Sequence, residues 1–157
     1  MHYTILPAET HGDLTAVREL FTEYRDFLGD EVCFRDFEHE LNTLPGKYSP
    51  PEGILLLARV AEKPAGCVAI RPLEQGICEL KRLFVRGQFR GLHLGRRLVE
   101  SALDFARNAG YKAVRLDSIP VKMQQAISLY ESLGFKLIEK YYESTHSESI
   151  YMELSLQ

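Results

Sequence analysis

The runs Cys78-Glu-Leu-Lys-Arg-Leu-Phe-Val85 and Arg90-Gly-Leu-His-Leu-Gly-Arg-Arg-Leu98 read as an apolar strand, a glycine-containing turn and the opening of an amphipathic helix. Such a construction aims unpaired backbone N–H groups and the positive end of a helix dipole at one spot. That is the architecture of a phosphate cradle. Arg82, Arg86, Arg90, Arg96 and Arg97 crowd around it in sequence, with no acid between Lys81 and Arg97.

The remainder of the chain bounds what such a cradle serves. A length of 157 residues, 45% hydrophobic and 26% charged, fits one domain, taken as residues 1–157, with a full core. A net charge of −3 argues against nucleic acid as a partner, so the basic cluster is local. Cys33, Cys67 and Cys78 make neither a C-x-x-C motif nor an even-numbered framework, and they read as reduced thiols of a cytoplasmic protein. No charged-then-apolar leader opens the sequence, so secretion is not expected. The longest apolar run, Ile54–Ala61, is interrupted by Arg59 and is too short to cross a bilayer, so no membrane partner is expected. The histidines, at 2, 11, 39, 93 and 146, lack metal-ligand spacing, and no metal is expected.

Periodicity supplies the order of elements. Tyr3–Leu6 is a short strand. Asp13 caps a helix whose apolar positions run from Leu14 to Leu28, and a second helix spans Phe34–Leu44, stopped by Pro45-Gly46. Ile54–Val60 and Gly66–Ile70 form a hairpin, and Ile77–Val85 is the next strand. A long helix follows from about Gly91 to Ala109, then strand Ala113–Leu116 and a helix from Pro120 to Leu133, closed by Gly134. Lys136–Tyr141 and Ser149–Leu154 are the last strands. The order β-α-α-β-β-β-α-β-α-β-β implies a single-domain α/β fold, a mixed sheet with helices on both faces. Its Ile77–Leu116 unit is a parallel crossover.

Two phosphate-binding patterns fail. Gly95-Arg96-Arg97 lacks the hydroxyl of a P-loop, and Gly91 and Gly95 are misspaced for a dinucleotide fingerprint. The chain resembles, over nearly all its length, the GNAT superfamily of acetyl-CoA-dependent N-acetyltransferases. Arg90-Gly91-Leu92-His93-Leu94-Gly95 is similar to that family's Q/R-x-x-G-x-G/A turn, and Ala126-Ile-Ser-Leu-Tyr130-Glu-Ser-Leu-Gly134-Phe135 to its A-x-x-L-Y-x-x-x-G-F helix. His93 stands where the family often has glycine, so it must adopt a backbone conformation suited to glycine, costing on the order of 1 kcal/mol.

The resemblance implies acetyl-CoA as acyl donor, with its diphosphate on the backbone of Arg90, Gly91, Leu92, His93, Leu94, Gly95 and Arg96. Its pantetheine arm would pair with Leu83, Phe84 and Val85. It also implies a base near Glu79 and carries the acid that protonates the leaving thiolate to Tyr130; Glu74, Glu131 and Tyr142 are further candidates. Direct attack needs a neutral amine, hence the base. The acceptor is a small-molecule or peptide amine. Asp26, Asp30, Glu31, Asp36, Glu38, Glu40, Glu143 and Glu148, in the regions past which the acceptor would approach, suggest a cationic one. Alternatives are a protein or peptide amine acetyltransferase and a non-catalytic CoA-binding sensor. A homodimer through the last strands is compatible with the resemblance.

Overall fold

The structure is a computed structural model that describes residues 2–29, 36–143 and 148–157. Its strands are β1 (Tyr3–Pro7), β2 (Ile54–Val60), β3 (Lys63–Glu74), β4 (Ile77–Val85), β5 (Ala113–Ser118), β6 (Lys136–Ile138) and β7 (Ile150–Ser155). Its helices are α1 (His11–Leu28), α2 (Phe37–Thr43), α3 (Leu94–Asn108) and α4 (Pro120–Ser132), with 3₁₀ turns at Gly46–Tyr48 and Gly87–Phe89. One sheet runs β1-β2-β3-β4-β5-β7-β6, antiparallel throughout except for the β4–β5 pair.

Alternation along the central strands feeds two cores. Val68 and Ile70 of β3, with Cys78 and Leu80 of β4, pack against Leu98, Ala102 and Ala106 of α3 and Tyr130 of α4. Cys67 and Ala69 face the other way, onto Val17, Leu20 and Phe21 of α1 and Phe37 of α2. A strand buried on both faces reads as a continuous apolar run rather than an alternating one.

Several boundaries differ from the sequence reading. Thr10, not Asp13, caps α1; Asp13 is the partner three residues on, and its carboxylate accepts from the Thr10 N–H at 3.2 Å. The expected start of the second helix, Phe34, lies outside the described residues, as do Cys33, Asp30 and Glu31. α3 starts at Leu94 rather than Gly91, because Gly91 (φ +90°) and His93 (φ +59°) are both left-handed. His93 therefore has the conformation its place in the turn demands. β6 stops at Ile138, short of Tyr141, whose hydroxyl is held by Glu79 instead.

β4 carries the decisive irregularity. Its register with β3 slips between Cys67↔Phe84 and Ala69↔Lys81, placing an extra residue on β4, and Arg82 there has φ +63°. This bulge inverts the alternation, so that Leu83 joins the α3 core and Phe84 turns to the α1 side. Its freed Arg82 carbonyl accepts a hydrogen bond from the Cys67 thiol at 3.3 Å.

Candidate active site

Strands β4 and β5 are paired only from Ile77–Glu79 to Ala113–Arg115. Beyond Glu79 they part. Among the described residues the β5-side edge of β4 then has no strand partner, which leaves backbone groups available to an extended ligand. A cleft of about 610 Å³ opens there. It is walled by Leu83, Phe84 and Val85 of β4, by the turn before α3, by α4, and by Tyr24 and Phe27 of α1.

At one end of the cleft the α3 N-terminus is uncapped by any side chain among the described residues. The first helical bond there runs from the Arg97 N–H to the His93 carbonyl, which leaves the N–H groups of Leu94, Gly95 and Arg96 without helical acceptors. A Cβ on Gly91 would meet nothing within 4 Å, so the turn is open toward an incoming group. Arg90, Gly91, His93, Leu94, Gly95 and Arg96 all line the cleft. Leu92 does not; its side chain packs behind the turn with Val60, Ala65 and Leu94.

The crowd of arginines read from the sequence is smaller in space. Arg82 is buried and gives two 2.9 Å hydrogen bonds to Glu40. Arg86 is held by Glu23, with Nε 2.9 Å from Oε1. Arg97 pairs with Glu100 at 3.4 Å. Arg90 and Arg96 are the two of the five that reach the cleft. The bulge turns Arg82 away, and side-chain direction at a bulge is not encoded in spacing.

At the other end lies the β4–β5 gap. Tyr130 is packed on one face against Phe135, with ring centroids 5.5 Å apart, and is only 4% exposed. Burial first, then the charges of Tyr24 and Asp117, push its phenol well above the usual tyrosine range. Asp117 points to the opposite face, because Val114 and Leu116 occupy the α3 side. Its carboxylate is 21% exposed, stands 3.9 Å from Lys81 Nζ across the gap, and is the partner of the Tyr142 hydroxyl.

The Acetyltransferase (GNAT) family matches the chain over residues 14–135. This chain belongs to that family. An uncharacterized N-acetyltransferase of Schizosaccharomyces pombe is 38% identical, the match covering 92% of this chain and 89% of the relative. A Staphylococcus aureus acetyltransferase of the GNAT family superposes with a TM-score of 0.83 at 18% identity, over 99% and 100% of the two chains. The yncA acetyltransferase of Salmonella typhimurium, solved with acetyl-CoA, gives 0.76 at 18% identity, over 99% and 94%. The protein is an acetyl-CoA-dependent acyltransferase, and the mixed sheet is the fold expected of it.

In this acetyltransferase Glu79 is sealed. It is 1% exposed; Oε1 accepts from Arg71 at 2.8 Å and Oε2 from the Tyr141 hydroxyl at 2.6 Å, with Lys81 3.7 Å away. Burial pushes its carboxyl up, but Lys81, Tyr141 and Arg71 together outweigh that and hold it below the usual carboxylate range. Glu74 pairs with Arg115 at 3.0 Å. Three of the acids read as an acceptor surface have other surroundings. Glu40 is buried, Glu143 pairs with Lys140 at 2.8 Å, and Asp36 lines a separate cavity behind α2. Asp117 and Lys81, which do face the gap, carry no motif signal. The parting of β4 from β5 singles them out, and that is a property of the sheet.

Acid should expose this electrostatic design. For Glu40, burial raises the carboxyl but Arg82 more than reverses it, giving a lowered pKa. Glu79 is lowered too, and Asp13 drops to about 2, chiefly through the Glu9 N–H. Groups depressed on folding contribute stability above their unfolded values, near 4.5 for the glutamates and 3.8 for Asp13. That contribution disappears as pH falls through the folded values. Urea midpoints should therefore be flat from pH 7 to about 5 and fall steadily from there toward about 2. A midpoint unchanged down to pH 3 would contradict these assignments.

Proposed function

We propose that this acetyltransferase moves the acetyl group of acetyl-CoA to a primary amine of a small molecule by direct attack on the thioester. One observation carries the reading: an open cleft runs from an uncapped helix N-terminus along the edge of β4 that β5 leaves unpaired. The N–H groups of Leu94, Gly95 and Arg96, with Arg90 and Arg96 side chains, would hold the diphosphate. The unpaired edge at Leu83–Val85 would pair with the pantetheine amides, and a backbone N–H there would take the developing oxyanion.

The proton balance assigns the side chains. As the C–N bond forms, the amine loses a proton, and Asp117 is the carboxylate placed to take it. As the C–S bond breaks, the Tyr130 O–H, kept protonated by burial, donates to the departing sulfur. Asp117 then releases its proton to solvent, and the phenolate is reprotonated from solvent, which closes the balance. Glu79, with no open side, is assigned as a positioning residue: it fixes Lys81, Arg71 and Tyr141 around the gap.

Thiol release from acetyl-CoA against amines, amino acids and short peptides tests the activity. Turnover of small amines supports the reading, and turnover confined to peptides overturns it. The base assignment has its own readout. Asp117→Asn should lower kcat by about 100-fold or more with acetyl-CoA affinity unchanged, while Glu79→Gln should cost about tenfold or less. The reverse pattern would return the base to Glu79.

A further inference from the structure

We infer that the acceptor is an α-amino acid, held with its amine on Asp117 and its carboxylate on Lys81. The inference rests on the acetyl transfer proposed above and names its substrate class. It comes from accounting for each charge on the open face of the sheet beside the gap. Arg71 is committed to Glu79 at 2.8 Å and to the Pro72 carbonyl at 3.3 Å. Arg115 is committed to Glu153 at 2.8 Å and Glu74 at 3.0 Å, and lies over the Tyr141 ring. Glu79 is buried and committed to Arg71 and Tyr141.

Among the described residues of this face two opposite charges, Lys81 and Asp117, face one another across the gap as a long ion pair with no hydrogen bond between them. Lys81 Nζ stands 3.7 Å from Glu79 and 3.9 Å from Asp117, outside hydrogen-bond distance of both, with its side chain 16% exposed. Asp117 carries the hydrogen bond with Tyr142 and keeps further acceptor capacity. One sits on each lip of the gap. An amine carrying only positive charge would meet Asp117 favourably and be repelled by Lys81. A molecule with an amine and a carboxylate on one carbon sets one group against each. Lys81 also lies on the strand that delivers Leu83 to the cleft, so the amine on Asp117 is brought alongside the acyl group.

The test compares each proteinogenic amino acid with its carboxamide and its decarboxylated amine, reading thiol release at saturating acetyl-CoA. Charge-assisted hydrogen bonds of this kind correspond to about 10- to 100-fold in kcat/KM. The best acceptor should be a free amino acid, favoured over its own amide and amine by that factor. Lys81→Met should shrink the preference toward one through KM, and Lys81→Arg should restore it. Amides or amines turned over as well as the acids would overturn the inference, as would a preference that survives Lys81→Met. Acetyl-CoA binding with no amino acid turned over would overturn it too. If acetyl-CoA itself fails to bind, the acetyl-transfer reading falls with it, which separates the two failures.

Discussion

Tyr130→Phe is expected to lower kcat by about 100- to 1,000-fold while acetyl-CoA affinity changes by less than about twofold. The ring packs on Phe135 and stays in place in the variant, since only the hydroxyl is lost. In this reading acetyl-CoA is held by the turn before α3 and the edge of β4, so ground-state binding does not depend on the hydroxyl. What disappears is a donor that burial keeps protonated at neutral pH and that the proposed mechanism directs to the leaving sulfur. Steady-state kinetics with a direct binding measurement separate the two terms. A kcat within a few-fold of the parent would remove the phenol from the chemistry.

Glu40→Ala is expected to cost about 3–5 kcal/mol of stability, the range for breaking a buried ion pair from one side. Glu40 accepts two 2.9 Å bonds from Arg82 and a 3.0 Å bond from the Tyr48 hydroxyl, with Lys47 3.3 Å away. Without it, Arg82 is a buried cation on a left-handed backbone with its main counterion gone. Glu40→Gln should cost less, because the amide oxygen still accepts. Adding Arg82→Met to Glu40→Ala should recover part of the loss by removing the stranded charge. Chemical denaturation of the parent, Glu40→Ala, Arg82→Met and the double variant measures this cycle, with Glu40→Gln beside it. Equal stability of Glu40→Ala and the parent would mean that this pair does not anchor α2 to the β4 bulge.

These two residues also mark what can and cannot be read from the chain. Tyr130 sits in a motif with fixed local spacing, so its helix and neighbourhood are legible in the sequence alone. The cradle is legible for the same reason: glycines and a helix start are local features, and Arg90 through Arg96 form one turn. The Arg82–Glu40 pair joins residues 42 apart. Nothing local announces it, and arginines that look like phosphate ligands in sequence are, at 82 and 86, tied to acids on other elements. The bulge at Arg82 is equally silent, because a one-residue slip leaves the apolar pattern of Cys78–Val85 intact while changing which face each side chain meets. Glu79 shows the limit from the other side. A strand carboxylate at the right place in a motif suggests a base, but how open it is depends on Arg71 and Tyr141, which the fold brings in from β3 and from beyond β6. Asp117 and Lys81 are distinguished only by the parting of β4 from β5, which no spacing encodes.

In the proposed reading the turn from Arg90 to Arg96 holds the diphosphate of acetyl-CoA. Calorimetric titration of acetyl-CoA into the parent and Gly91→Asp tests it most directly. Gly91 has φ +90° and open space before it, so the variant places a carboxylate and bulk where the diphosphate would lie. Binding by the parent and a loss of about 30-fold or more in the variant are expected. Thermal unfolding should show that the variant remains folded. Equal affinity in two folded proteins would contradict it.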